Sequence, residues 1–134
     1  MRSAPPGFWG ERFPQGDPAV NAYELQINPN NESYYLPHPD GGYVQFENLA
    51  GTTLQDGKLV TSPTSIYYVG DKPAVLQQNI LAEATRQVEA ASSNGMNVEW
   101  LVSNERAATQ LDALFSGQKT PIPIKVTYLP AGTP

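Results

Sequence analysis

The chain has 134 residues and a formal net charge of −5. This length fits one domain with a substantial core, and no apolar run approaches the ~20 residues that a membrane span needs. The N-terminus lacks the apolar core of a signal peptide, and the absence of cysteine excludes disulfides and thiolate metal sites. The acidic balance argues mildly against nucleic-acid binding, although a cleft can be locally positive and a divalent cation adds charge of its own.

Residues 1–16 are rich in proline and glycine and carry three aromatic side chains, Phe8, Trp9 and Phe13. Such a composition predicts an extended, irregular N-terminal segment whose rings lie over the domain or over a missing partner. Residues 17–134 are predicted to form a single domain.

A first helix is predicted over residues 18–27. Asp17 is a suitable N-cap and Pro18 fits the first helical position. The Asn-Pro pair ending at Pro29 stops the helix, because the residue before a proline is disfavoured in the α region. The apolar stripe of this helix consists of Val20, Tyr23 and Ile27.

The next stretch, residues 28–42, is polar and rich in turn residues, with a possible strand at Tyr34–Leu36. It contains His38, the only histidine of the chain. A nucleophile–histidine pair or a zinc cluster would need companions that the sequence lacks. We therefore expect His38 to lie in a loop and face water, with a contact to substrate as the alternative.

Two strands are predicted at 43–46 and 53–60, and they carry the main chemical signal. Glu47 ends the first strand, and Asp56 and Lys58 leave the same face of the second if that strand continues through them. Two carboxylates beside a lysine are what a metal-dependent phosphodiesterase needs, because carboxylate oxygens hold a hard divalent cation and the lysine orients or activates a water.

An alternative interpretation of the same stretch is a hairpin. Asp56-Gly57 flanked by alternating apolar residues is a strong signal for a type I′ turn, in which Lys58 would be a solvated strand residue.

The remainder predicts helix 74–93, strand 98–102, helix 105–116 and strand 122–129, with a possible extended piece near 66–69. The resulting fold class is α/β, with one mixed sheet flanked by helices.

These motifs occur in a shared order that resembles the restriction-endonuclease-fold nucleases, whose signature is P-D-(D/E)-X-K, and more narrowly the toxin domains of bacterial polymorphic toxins. The resemblance covers about residues 18–129. The matching segments are Tyr23-Glu-Leu-Gln-Ile27, Val44-Gln-Phe-Glu-Asn48, Leu54-Gln-Asp-Gly-Lys58, Arg86-Gln87 and Val98-Glu-Trp100.

The resemblance implies a restriction-endonuclease-like fold, with an αβββαβ core plus an extra helix and strand. It implies a Mg²⁺-dependent (or Mn²⁺-dependent) endonuclease in which Glu47, Asp56 and the Gly57 carbonyl bind the metal. In that scheme Glu24 assists directly or through water, and Lys58 positions hydroxide for in-line attack on phosphorus. Glu47 departs from the family's usual aspartate by one methylene group.

Gln87 is implied as the residue that holds the attacking water or a phosphate oxygen, against the alternative of a surface amide. For Glu24 the alternative is a solvated helical glutamate.

The resemblance further implies a secreted antibacterial effector that acts in the target-cell cytoplasm, with DNA favoured over RNA as substrate. A cognate immunity protein would block the site in the producing cell. The alternative is a non-catalytic binding or structural domain that retains this fold.

Overall fold

The computed structural model describes residues 6–13 and 16–132, so the predictions for 1–5, 14–15 and 133–134 lie outside the described residues. Three helices are described: α1 (Pro18–Ile27), α2 (Ala74–Ser93) and α3 (Glu105–Ser116). The seven strands are β1 (Phe8–Glu11), β2 (Glu32–Pro37), β3 (Tyr43–Phe46), β4 (Asn48–Ala50), β5 (Thr53–Lys58), β6 (Asn97–Val102) and β7 (Ile124–Tyr128). The α/β class and all three predicted helices are confirmed.

The predicted mixed sheet flanked by helices is present, but it contains only four of the described strands, because those strands divide into two sheets. β1, β2 and β3 form an antiparallel sheet in that order. The second sheet has the order β4-β5-β6-β7, in which only the β4–β5 pair is antiparallel. One residue, Glu47, separates β3 from β4, so the chain passes from one sheet to the other at that position.

Two parallel crossovers build the second sheet: α2 joins β5 to β6, and α3 joins β6 to β7. Right-handed crossovers that advance in one direction place both helices on the same face. The packing agrees with this rule, since Ala84 of α2 and Phe115 of α3 belong to one buried cluster with Trp100 of β6. The inner face of the first sheet joins the same cluster through Tyr34, Leu36, Val44 and Phe46.

Helix α1 covers the opposite face of the second sheet and forms as predicted. Asp17 caps it by accepting the backbone N–H of Ala19 at 2.8 Å. Its packing against β5 is close, because a Cβ added at Gly57 would lie 2.5 Å from Ile27 Cδ1. A side chain at position 57 would therefore displace the Ile27 side chain from its place against β5.

The hairpin interpretation of Asp56-Gly57 is wrong. β5 continues from Thr53 through Lys58, and Gly57 is opposite Leu101 in the parallel ladder. The strand nevertheless ends two residues earlier than predicted.

Three further local predictions are corrected. The N-terminal segment is not irregular over Phe8–Glu11, which pair with β2. Phe8 stacks on Tyr35 and Trp9 meets Tyr34 edge to face, so consecutive side chains of the segment pack on the two faces of the sheet. Residues 66–69 form turns that lead into a short 3₁₀ helix at Val69–Asp71, not an extended piece.

His38 does not face water. Its side chain is buried, its Nε2 lies 3.1 Å from Glu89 Oε1, and its Nδ1 accepts the N–H of Asp40 at 3.0 Å. The turn after β2 folds over the ring and closes it against α2.

Replacing Gly57 with alanine should lower the free energy of unfolding by about 1–3 kcal/mol, because the new methyl group overlaps Ile27 of α1. Urea denaturation measures this change. Gly16→Ala is the matched control, since no atom lies within 4 Å of a Cβ added there, and its effect should stay within about 0.5 kcal/mol. Equal stability of both variants would show that the α1–β5 contact is looser than described.

Candidate active site

All six predicted site residues line one cavity of about 530 Å³. They come from different parts of the fold: Glu24 from α1, Glu47 from the corner between the sheets, and Gln87 from α2. Asp56, Gly57 and Lys58 are the last three residues of β5. The cavity thus lies at the carboxyl end of a central parallel strand, where open α/β sheets commonly bind ligands.

The centre of the cavity is a buried ion pair. Lys58 Nζ lies 2.9 Å from Asp56 Oδ2, and both side chains are less than 10% exposed. The two residues project from the same face of β5 because they are two positions apart in the strand. The predicted convergence of this acid and this lysine is therefore present in the structure.

Lys58 has further neighbours that the sequence did not reveal. Its Nζ donates to Glu83 Oε1 at 2.9 Å and lies 4.5 Å from the centre of the Trp100 ring. Burial alone would lower the pKa of Lys58, but Asp56, Tyr67 and Glu83 outweigh burial and raise it above its ordinary value. The amine therefore stays protonated at neutral pH.

Asp56 is held by a chain of hydrogen bonds that begins in the core. Trp100 Nε1 donates to Gln87 Oε1 at 2.6 Å, and Gln87 Nε2 donates to Asp56 Oδ2 at 2.7 Å. Burial alone would raise the pKa of Asp56, but Lys58 and these hydrogen bonds lower it. Asp56 is thus fixed in position as a carboxylate.

Gln87 is not a surface amide, so that alternative is wrong: the side chain is buried between Trp100 and Asp56. Its amide nitrogen and oxygen each bond a protein group, which makes it a positioning residue for Asp56. Its predicted contact with a water or a phosphate oxygen stays a prediction.

Glu47 lies beside Asp56 and shares a hydrogen bond with that carboxyl group. Its Oε2 also accepts the backbone N–H of Gly57 at 3.2 Å. This bond is possible because β4 pairs with β5 only as far as Gln55, which leaves the edge of β5 open at Gly57. Burial, reinforced by the negative charge of Asp56, raises the pKa of Glu47 well above its ordinary value.

Glu24 reaches the same cavity but has a partner that the sequence did not suggest. Arg12 Nη1 lies 3.2 Å from Glu24 Oε2, and both side chains are largely buried. Arg12 also donates to Asn31 Oδ1 at 2.9 Å, which fixes its guanidinium. Burial raises the pKa of Glu24, while the positive charge of Arg12 opposes the rise. Glu24 is therefore not a solvated surface glutamate.

The donor set suits a hard divalent cation at one position. Glu47 and Asp56 are neighbouring carboxyl groups whose negative charges repel each other, and a cation between them would relieve that repulsion. Carbonyl groups alternate in direction along a strand, and Lys58 C=O accepts the backbone N–H of Ser103, the residue after β6, at 3.1 Å. The Gly57 carbonyl consequently points to the opposite side, where Glu47 lies.

The geometry also limits this set. Within residues 6–13 and 16–132, no group of three or more histidine, aspartate or glutamate side chains is arranged to hold a metal ion. Arg12 binds Oε2 of Glu24, so that oxygen is already engaged in an ion pair.

Comparisons with protein-family models, with curated proteins and with solved structures found no match to this chain. Across the described part of the chain, none of the helices combines the length and apolar character needed to cross a membrane.

Glu47→Gln should make the metal-free protein more stable at neutral and alkaline pH. The folded protein holds the Glu47 proton more tightly than the unfolded chain does, because burial and Asp56 raise its pKa above the ordinary 4.5. Protonated Glu47 therefore contributes its full share to the free energy of unfolding at acidic pH. That contribution is lost as the pH rises through the raised pKa of Glu47. Glutamine keeps a hydrogen on the side chain at every pH.

The measurement is thermal unfolding in EDTA from mildly acidic to mildly alkaline pH, for the wild type and the variant. Glu32→Gln is the control, since Glu32 is exposed and should leave the pH dependence unchanged. A Glu47→Gln variant that loses stability with pH as steeply as the wild type would contradict the assignment.

Proposed function

We propose that the protein is a metal-dependent phosphodiester hydrolase, a nuclease that uses Mg²⁺ or Mn²⁺. One observation carries the proposal: Glu47, Asp56, Lys58 and Gln87 come from the corner between the sheets, from β5 and from α2, and they line the same cavity, with Asp56 and Lys58 paired at its centre. A buried charge cluster in a cleft is a candidate functional site, because burial of charges lowers stability and active sites commonly shift the pKa values of their groups in this way.

Glu47, Asp56 and the Gly57 carbonyl are the groups that would hold the cation. A bound Mg²⁺ or Mn²⁺ supplies Lewis acidity and neutralises charge that develops on the phosphate. Glu24 would contribute through water, because its Oε2 already binds Arg12.

Lys58 donates hydrogen bonds and does not accept a proton, because Asp56 and Glu83 keep it charged. In the proposed reaction it orients the attacking water and stabilises negative charge on a phosphate oxygen. Gln87 holds Asp56 in the orientation that this arrangement requires, and Trp100 fixes the Gln87 amide. The indole ring beneath Lys58 limits the positions that the amine can adopt.

The finer fold assignment and the biological setting follow from the motif order. We assign the second sheet with its flanking helices to the restriction-endonuclease-like architecture, in which the acid and lysine of the signature end a central strand. The substrate is nucleic acid, with DNA favoured over RNA. The setting is that of a secreted antibacterial effector acting in the cytoplasm of a target cell, with an immunity protein as its partner.

A non-catalytic binding domain is the second candidate. The observation that favours it is the full pairing of the site: Lys58 has two carboxylate partners and Glu24 has Arg12. Closed ion networks of this kind also occur as structural elements.

Degradation of plasmid DNA and of RNA in Mg²⁺ and in EDTA separates the two candidates. Asp56→Asn and Lys58→Ala should each lower the metal-dependent rate by about 100-fold or more, because they remove a metal ligand and the charge at the phosphate. Lys125→Ala is the matched control, since Lys125 is 78% exposed and should keep full activity.

Substitution of either member of a buried ion pair lowers stability, so thermal unfolding must show that each variant is folded at the assay temperature. The wild type provides a second measurement: Mg²⁺ should raise its melting temperature, and Asp56→Asn should abolish that rise. Intact nucleic acid together with an unchanged wild-type melting temperature in Mg²⁺ would favour the non-catalytic domain.

A further inference from the structure

The outer face of the first sheet carries three neighbouring aromatic rings that we call the aromatic face: Phe8, Tyr35 and Tyr43. Phe8 stacks on Tyr35 with ring centres 5.4 Å apart and planes at 18°. Tyr43 meets Phe8 edge to face at 5.2 Å. Phe8 is 49% exposed and Tyr43 is 56% exposed. Rings this exposed contribute little to the hydrophobic core, and they leave aromatic surface open to a ligand.

The rings are held in place by the sheet beneath them. Tyr35 donates its hydroxyl to the carbonyl of Glu11 at 2.5 Å. Gly10 leaves the space that the Tyr35 ring occupies, since a Cβ there would lie 2.9 Å from Tyr35 Cε2. A rigid aromatic surface loses little conformational entropy when a ligand stacks on it.

The aromatic face is continuous with the candidate active site. Tyr35 is directly opposite Gln45 in the β2–β3 ladder, so both side chains project from the same face. Gln45 lines the cavity that contains Asp56 and Lys58, and it is followed within two residues by Glu47. Phe13, which is 63% exposed, lines the same cavity from the N-terminal segment.

The charge distribution indicates which nucleic acid fits this surface. Duplex DNA is bound mainly through its phosphates, which requires many basic side chains. This chain has 8 lysine and arginine residues against 13 acidic ones. The described residues that the strand register places on the aromatic face are all uncharged: Phe8, Gly10, Ser33, Tyr35, Pro37, Tyr43 and Gln45. Unpaired bases can stack on exposed aromatic rings, whereas the bases of a duplex are already stacked on one another.

We propose that the ligand of the aromatic face is a single-stranded nucleic acid, whose bases stack on Phe8, Tyr35 and Tyr43 and whose backbone passes Gln45 into the cavity. This inference rests on the proposed phosphodiester hydrolysis and specifies its substrate as single-stranded. Binding to this surface should depend only weakly on salt, because few phosphates are neutralised.

The test is fluorescence anisotropy of a short labelled oligothymidylate, in EDTA so that no cleavage occurs, with oligouridylate and a labelled DNA duplex as further probes. The single strands should bind more tightly than the duplex. Phe8→Ala and Tyr43→Ala should each weaken single-strand binding by about fivefold or more, which is the scale of one lost base–aromatic stack. Tyr128→Ala is the matched control, because Tyr128 is 45% exposed and belongs to the other sheet.

Three results would overturn the inference: no binding of single strands, duplex binding at least as tight, or equal loss of binding in the Tyr128→Ala control. These results are distinct from failure of the hydrolase proposal. Single-strand binding without Mg²⁺-dependent cleavage would retain the ligand and reject hydrolysis. Cleavage of duplex DNA that is unaffected by Phe8→Ala and Tyr43→Ala would retain hydrolysis and reject the aromatic face as its substrate surface.

Discussion

The contact between Lys58 and Asp56 is the interaction on which the rest of the site depends. Two opposite charges are buried at the end of β5, where each stabilises the charged form of the other. The surrounding groups hold this pair in place. Gln87 and Trp100 fix the carboxylate of Asp56, and Glu83 accepts a hydrogen bond from the amine of Lys58. The fold supplies this environment because β5 is a central strand of the second sheet, with α2 packed over the face from which both residues project.

Glu47 has the opposite effect on stability, because it places a second carboxyl group beside that of Asp56. Like charges so close destabilise the fold unless a proton or a cation lies between them. The protein therefore combines one stable ion pair with one unfavourable contact in the same cavity. Stored electrostatic repulsion of this kind is a common cost of functional sites, where the best arrangement for a ligand differs from the best arrangement for stability.

Much of this organisation can be inferred from the sequence. The predictions that agree with the structure and those that do not have distinct physical causes. Helix α1 follows from its cap at Asp17 and its proline, and the common face of Asp56 and Lys58 follows from the period of a strand. The division into two sheets is not encoded in any local pattern, because it depends on how β3 and β4 turn at a single residue. The Arg12–Glu24 ion pair connects the N-terminal segment with helix α1. Composition alone predicts that this segment is irregular, so only the folded chain shows the pair. Likewise, the burial of His38 results from contact with Glu89, which is remote in the sequence.

The corner at Glu47 limits which insertions and deletions natural variants of this protein can carry. A single residue connects the two sheets, so no loop is present there that could accommodate an inserted or deleted residue. Side chains alternate between faces along a strand, and a one-residue shift would turn the acid away from Asp56 or displace a whole sheet. We therefore expect natural variants of this chain to tolerate insertions in the 61–68 turns far better than between β3 and β4, where chain length itself is under constraint.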